Sequence, residues 1–393
     1  MPESRNYYCS NKFKFLKIDA EQKTTYNCHA AAPHAVDLMW LRNNPGQLFN
    51  TPINLAERQM MLDNQRNKSC EQNCYRAEDN GAAGPRLYEG HVERTHTNVV
   101  TMPETIDLTI SSECNLSCSY CCREFSSSWR QDLVKNGSYT GLGNNDSRYQ
   151  LTSIDQVLLH ISQKDRQESE LHKLLNQELS LVSPHLQNLV ITGGEPFLNN
   201  SLIEILENVK HIKNVKLFTS LGVSTARFKR LINQMTGYEN LTIAVSMENI
   251  GQYHEFNRFG TVWDDFLTNL EILQQSNIAM LFHSTLTNLT IHGFADFYNR
   301  FKHYNIEFDL AHQPTFMPVY VIDHRSREEI LKQFDDIKLP KKELIIKSLN
   351  SVSSEQQRQQ TSNFLTQFVQ RRPGLNLNIF PAVFLKWLNI NVV

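Results

Sequence analysis

Four of the chain's eight cysteines stand within nine positions, in the run ECNLSCSYCC, at 114, 118, 121 and 122. The triplet Cys114-x3-Cys118-x2-Cys121 directly follows a strand-like run, TIDLTI (105–110). Three thiolates on one tight loop can hold three irons of a [4Fe–4S] cube, for which cysteine is the usual ligand. One iron is then left open, as catalytic zinc keeps an open fourth position. Structural zinc is the alternative, but zinc loops present Cys pairs at two separate places, which one triplet matches poorly. Cys122 cannot easily share a cluster with Cys121, because adjacent side chains diverge. It reads as a small residue packing at the start of the next helix.

The other cysteines form a second set: Cys9, Cys28, Cys70 and Cys74, with none beyond 122. Cys9 and Cys28 flank a hairpin pattern, and Cys70-x3-Cys74 is a close pair. Four soft ligands suit either a structural zinc or a closed [4Fe–4S] cluster. Downstream, ITGGEPFL (191–198) ends a strand pattern. On its own, Gly193-Gly194-Glu195-Pro196 reads as a strand-to-helix turn, its glycines allowing close backbone approach. Further polar positions follow strands in LFTSLG (217–222), with Ser220, and VSMENI (245–250), with Ser246 and Glu248. Arg258 lies in EFNRFGTVW (255–263); taken alone, each of these positions reads as a solvated polar residue on a loop.

CNLSCSYC resembles the Cys-x3-Cys-x-aromatic-Cys signature of radical SAM enzymes, with Tyr120 in the aromatic slot. GGEP at 193–196 resembles the family's motif for the methionine amino group of S-adenosylmethionine (SAM). The resemblance implies a ribose contact at Ser220, polar SAM contacts at Ser246 and Glu248, and a SAM carboxylate contact at Arg258. This sequence departs from the family at three places: Ser220 replaces Asn, Glu248 replaces Asp, and Asn249 replaces Gly. The cysteines at 9, 28, 70 and 74 resemble the auxiliary-cluster modules called twitch and SPASM domains, here placed before the barrel. The resemblance implies reductive cleavage of SAM to methionine and a 5′-deoxyadenosyl radical, which abstracts hydrogen from a substrate. It also implies a second [4Fe–4S] cluster or zinc, an electron donor such as flavodoxin or ferredoxin, and a small-molecule or peptide-derived substrate. Two alternatives stay open: a SAM-dependent maturase or activase of a protein partner, and a non-enzymatic Fe–S redox protein.

These residues need elements to position them. From 105 the chain alternates strand and helix patterns, with strands at 105–110, 188–192, 215–220, 241–246, 278–286 and 306–312. Helices are expected at 201–212, 225–235, 263–276 and 294–304, from apolar residues at three- and four-residue spacing. The fold class expected is α/β: a partial (β/α)6 TIM-like barrel, whose chemistry sits at the C-terminal strand ends. A small N-terminal α+β metal-binding domain (1–100) precedes the barrel (101–312), and a mostly helical extension (313–393) follows. In the first domain, strands at 13–19 and 23–29 suggest a hairpin, and 54–65 a helix capped by Asn54. Residues 123–187 read as an insertion whose polar, Gly-rich part (126–149) forms a mobile lid, followed by a helix at 161–182. SSEQQRQQTSN (353–363) reads as an exposed helix or linker.

The chain has 393 residues, 40% of them hydrophobic, and a formal net charge of −2. That is ample for a full core and gives no basic balance for nucleic acid. The N-terminal run lacks an apolar signal core. The apolar stretch 375–393 is broken by four Asn, Pro381 and Lys386, so no membrane span is expected. A cytoplasmic location is expected, where thiols stay reduced and favour metal or redox chemistry.

Overall fold

The computed structural model describes residues 6–79, 86, 96–99, 102–143, 147–155, 170–182 and 186–390. The strands are β1 (Phe15–Asp19), β2 (Thr24–Tyr26), β3 (His34–Ala35), β4 (Thr105–Thr109), β5 (Ser117–Cys118), β6 (Asn188–Thr192), β7 (Asn214–Thr219), β8 (Leu241–Ser246), β9 (Arg258–Phe259), β10 (Ala279–Leu286) and β11 (Ile306–Leu310). All six strands expected from 105 onward are present. The chain packs as two compact units, one of residues 1–111, 162–217 and 238–241, the other of residues 112–161, 218–237 and 242–393.

In the first unit, β4, β6 and β7 run parallel, with Ile106 beside Leu189 and Leu189 beside Val215. The expected hairpin forms from β1 and β2, paired antiparallel, and β3 extends it. β1 also pairs in parallel with β4, so the hairpin continues the same sheet. Period-two alternation sends Leu16, Ile18, Ile106, Leu189 and Ile191 into the core. The helix expected at 54–65 is Pro52–Leu62, and Asn54 is not its cap. Thr51 Oγ1 accepts the Asn54 N–H, and Pro52 occupies the first turn, where its missing N–H costs nothing. Asn54 is instead buried, donating to the Leu48 and Phe49 carbonyls. The described part of the helix expected at 161–182 is Glu170–Val182; its earlier residues lie outside the described ones.

In the second unit, β8, β10 and β11 are parallel, and β5 pairs antiparallel with β9. Helix Thr225–Met235 buries Phe228, Leu231, Ile232 and Met235, an i, i+3, i+4, i+7 stripe. Helices also form at Trp263–Gln275 and Phe294–Phe301. The tail is mostly helical, at His324–Asp335, Lys342–Leu349, Glu355–Gln370 and Ala382–Trp387. The chain is therefore α/β with a mostly parallel sheet, and no closure into a barrel is found among the described residues. No helix among them is long and apolar enough to cross a membrane.

Of the region expected as a mobile lid (126–149), residues 144–146 lie outside the described ones, and the rest is packed. Ser127–Asn136 is a helix, and Trp129, Tyr139 and Tyr149 are each at most 1% exposed. Their rings meet one another and Phe364 at centroid distances of 5.2–6.3 Å. Three large aromatics scattered in a polar stretch outweigh its glycines, because each brings a large apolar area to bury. The same cluster explains why the run 353–363 is not a linker. It begins helix Glu355–Gln370, which buries Phe364, Leu365 and Phe368.

Candidate functional site

The cysteine loop of the second unit is fixed through its carbonyl oxygens. The Ser127 and Ser128 hydroxyls donate to Cys114 O at 3.0 and 2.8 Å. Ser126 Oγ donates to Leu116 O at 2.7 Å, Trp129 Nε1 to Cys118 O at 2.9 Å, and the Tyr149 hydroxyl to Cys121 O at 3.1 Å. Ser126 is also the N-cap of helix Ser127–Asn136, accepting the Trp129 N–H. The sequence SSSW (126–129) thus starts a helix and clamps the loop before it. Sequence reasoning missed this clamp; a capping serine three residues ahead of a buried tryptophan, immediately after the cysteines, was the available signal.

Pairing of β5 with β9 sets Cys118 opposite Arg258. The Arg258 guanidinium forks onto Glu248, Nε to Oε2 at 3.0 Å and Nη2 to Oε1 at 2.7 Å. Its Nη1 lies 4.0 Å from Cys118 Sγ. The Tyr120 hydroxyl donates to Glu248 Oε1 at 2.9 Å, and the Thr285 N–H to the same oxygen at 3.1 Å. Arg258 and Glu248 are both buried. Burial alone would lower the arginine's pKa, but the Glu248 carboxylate more than offsets it, so the cation persists. Burial pushes Tyr120 far above its ordinary value, which keeps it a neutral hydroxyl donor. Behind this network the Ser119 hydroxyl donates to Asn257 Oδ1, Asn257 Nδ2 donates to Asn249 Oδ1, and Asn249 Nδ2 donates to Thr290 O. Asn249, which stands where the related motif has glycine, spends its carboxamide holding this chain.

The three thiols of the loop are of the right kind for an iron cluster, soft donors within eight residues of sequence. Cys114 Sγ accepts the Leu116 N–H at 3.4 Å. Burial, helped by the Cys118 thiol beside it, pushes Cys121 up to about 12. Unmetallated, that sulfur is a thiol; a bound metal would displace its proton. Among the described residues no three His, Cys, Asp or Glu side chains already converge as a metal-ion site. Cys122 is buried, as expected of a packing residue.

Ser220 is buried and its hydroxyl accepts the Gly222 N–H at 3.2 Å. Ser246 closes β8, opposite His283 of β10. In the first unit, the GGEP turn follows β6. Gly193 has φ +144°, and a Cβ there would lie 2.5 Å from Ser111 O, so only glycine fits. The Gly194 N–H donates to Ser111 O at 2.8 Å. Glu195 is buried and caps the short turn Pro196–Leu198 by accepting the Phe197 N–H at 3.1 Å.

The second cysteine set lies in the first unit. Cys9, Cys70 and Cys74 share one buried cluster with Phe13, Met61 and Tyr75. Cys28 is half-buried, accepts the Ala30 N–H at 3.4 Å, and is near enough to act electrostatically on Cys70 and Cys74. Burial raises Cys70 and pushes Cys74 up to about 11. A buried ammonium, Lys12, opposes the shift of Cys70. Lys12 is itself bonded to Glu57 Oε2 at 2.5 Å and Ser69 Oγ at 2.7 Å, and His34 meets Glu57 at 3.0 Å. Burial alone would raise Glu57, but His34, Lys12 and Ser69 together hold it at about 2. Four thiols with a cation beside them fit a soft metal centre in kind.

Residues 108–301 match the profile of the Radical SAM superfamily. Over 254 residues the chain is 23% identical to the radical SAM cyclopropyl synthase TigE of Paramaledivibacter caminithermalis, covering 62% of this chain and 49% of that protein. The chain thus spans about half the length of that relative. Among solved structures, native anSMEcpe with bound AdoMet is 17% identical with a TM-score of 0.35, covering 60% of each chain. SuiB of Streptococcus suis is 11% identical with a TM-score of 0.37, covering 83% of this chain and 69% of that one.

Proposed function

We infer that this chain, a member of the radical SAM superfamily through its 108–301 domain, is a radical SAM enzyme that abstracts hydrogen from a peptide-derived substrate. The observation that carries this reading is the cysteine loop. Its shape is set by Ser126–Trp129 and Tyr149 acting on carbonyl oxygens, so three cysteines can serve a cluster without also having to hold the loop. Cys114, Cys118 and Cys121 would hold a [4Fe–4S] cluster, which with SAM supplies a 5′-deoxyadenosyl radical. The chain's own residues bind and orient. The GGEP turn at 193–196 is assigned the SAM amino group, Ser220 the ribose, and Ser246 a polar contact. Arg258 would meet the SAM carboxylate through Nη1, the nitrogen outside its fork with Glu248. Glu248 then acts by aiming that guanidinium and the Tyr120 ring. Cys9, Cys28, Cys70 and Cys74 are assigned a second [4Fe–4S] cluster, supported by the shared burial of Cys9, Cys70 and Cys74 and by the nearness of Cys28 to Cys70 and Cys74. A flavodoxin or ferredoxin is the proposed electron donor.

Anaerobic reconstitution with iron and sulfide, followed by dithionite and SAM, tests the reading. 5′-Deoxyadenosine should form, and the Cys118→Ala protein should make none. A fully loaded protein that leaves SAM intact refutes the proposal. In Cys70→Ala/Cys74→Ala, a loss of about four irons per chain supports the second cluster; loss of zinc alone assigns those cysteines a structural metal.

A further inference from the structure

Helix Glu355–Gln370 carries a row of carboxamides: Gln356, Gln359, Gln360, Asn363 and Gln367. At 3.6 residues per turn they share one side of the helix. Three of them already bind main chain. Gln367 pairs at two points with Thr140, Oε1 accepting its N–H at 3.0 Å and Nε2 donating to its carbonyl at 2.9 Å. Asn363 Nδ2 donates to Gly141 O at 3.0 Å, and Gln360 Nε2 to Leu142 O at 2.7 Å. The approach is close: Gly141 has φ +70°, and a Cβ there would run into the Asn363 carboxamide. A primary carboxamide offers a donor and an acceptor side by side, the complement of a peptide group.

Toward the helix N-terminus the row continues in Gln356 and Gln359, both exposed; Gln359 Nε2 donates to Asn363 Oδ1 at 3.0 Å, so Gln359 offers a ligand its second N–H and its Oε1. With Gln150, Gln360 and the Gly141–Gly143 main chain they line an open cleft of about 800 Å³, within the range of ligand sites. Among its described lining residues there is no lysine or arginine, and the one carboxylate, Glu355, is paired with Arg358. Such a lining does not select an anion or an apolar body. It suits a neutral chain with alternating N–H and C=O groups. Gln150 follows Tyr149, whose hydroxyl holds Cys121 O, so the cleft and the cysteine loop share a support.

We propose that this cleft binds the main chain of a peptide, with Gln356 and Gln359 continuing the carboxamide pairing that Gln360, Asn363 and Gln367 make to residues 140–142. This deepens the reading of a peptide-derived substrate given above, and it supplies a holding site for chain outside the reacting residue. The test uses a dye-labelled acetyl-Gly-Ser-Gly-Ser-Gly-Ser-amide peptide with the reconstituted full chain, without SAM, read by fluorescence polarisation. Saturable binding is expected. It should weaken at least about fivefold for the Gln356→Ala/Gln359→Ala protein and, on the wild type, for the peptide N-methylated at its glycines, each losing hydrogen bonds. Absence of saturable binding, or equal binding of the N-methylated peptide, overturns the proposal whatever the variant does. Because no turnover is involved, a chain that binds peptide yet leaves SAM intact sinks only the functional reading.

Discussion

Replacing Glu248 by alanine should strand the Arg258 cation. Glu248 accepts four hydrogen bonds, two from Arg258 and one each from Tyr120 and Thr285. The pair's side chains are 5% and 1% exposed, so water cannot replace what the carboxylate supplies. Removing one partner of such a buried pair costs about 3–5 kcal/mol. Replacing both, as in Glu248→Leu/Arg258→Met, removes the stranded charge along with its partner, and what is left is the cost of the Tyr120 hydroxyl and the Thr285 amide without an acceptor, about 1–3 kcal/mol each, less than the two single losses together. The assay is guanidinium denaturation of the reduced, metal-free chain, followed by tryptophan emission, on wild type, both single variants and the double. The midpoints should fall for each single variant, and the double should lose clearly less than the two single losses added, with the slope unchanged. If Glu248→Ala costs under about 1 kcal/mol, or the double variant loses the sum of the singles, the two charges are not coupled as argued.

Trp129→Phe keeps the aromatic packing but removes the Nε1 donor to Cys118 O, which should cost about 1–3 kcal/mol and speed iron loss to a chelator; an unchanged loss rate refutes the clamp. Gly193→Ala forces a left-handed φ on alanine and a clash with Ser111 O, so a stability loss of about 1–3 kcal/mol, read as a lower denaturation midpoint, is expected, and a neutral result contradicts the turn geometry. Glu57 is held at about 2 against an ordinary 4.5. Its folded pKa is depressed, so its contribution, about 3 kcal/mol, is present above pH 4.5 and disappears as pH falls toward 2. Wild type and Glu57→Gln should therefore differ in urea stability at pH 6 and converge near pH 2; a constant difference refutes the linkage.

The parallel strands were readable because their signal is local. TIDLT, NLVIT and LTIAVS are short β-branched runs between helices with apolar stripes, and no distant residue was needed to recognise them. The capping error at 54 has an equally local cause: Asn54 is a good cap by type, but Pro52 fixes the start two residues earlier, and Asn27 draws the Asn54 side chain inward. The region 126–149 misled because polarity and glycine content describe exposed loops, whereas its fate depends on Phe364 and Phe368, more than two hundred residues away. The spacing of the cysteine triplet carried the family resemblance by itself. What holds it did not, since SSSW means little until the helix it begins is seen to point back at the loop.

The continuation of the N-terminal hairpin into the main sheet bears on how the chain avoids self-association. β1 lies between β2 and β4 and covers the flank of β4 that β6 leaves open. Stripped of residues 1–35, β4 would present a bare row of amides and carbonyls from Thr105 to Thr109, an edge open to pairing with another molecule. During synthesis the hairpin is made some seventy residues before the strand it must shield. It has therefore already been made when β4 emerges, and the segment that carries Cys9 and Cys28 also covers a sheet edge that would otherwise be open to pairing.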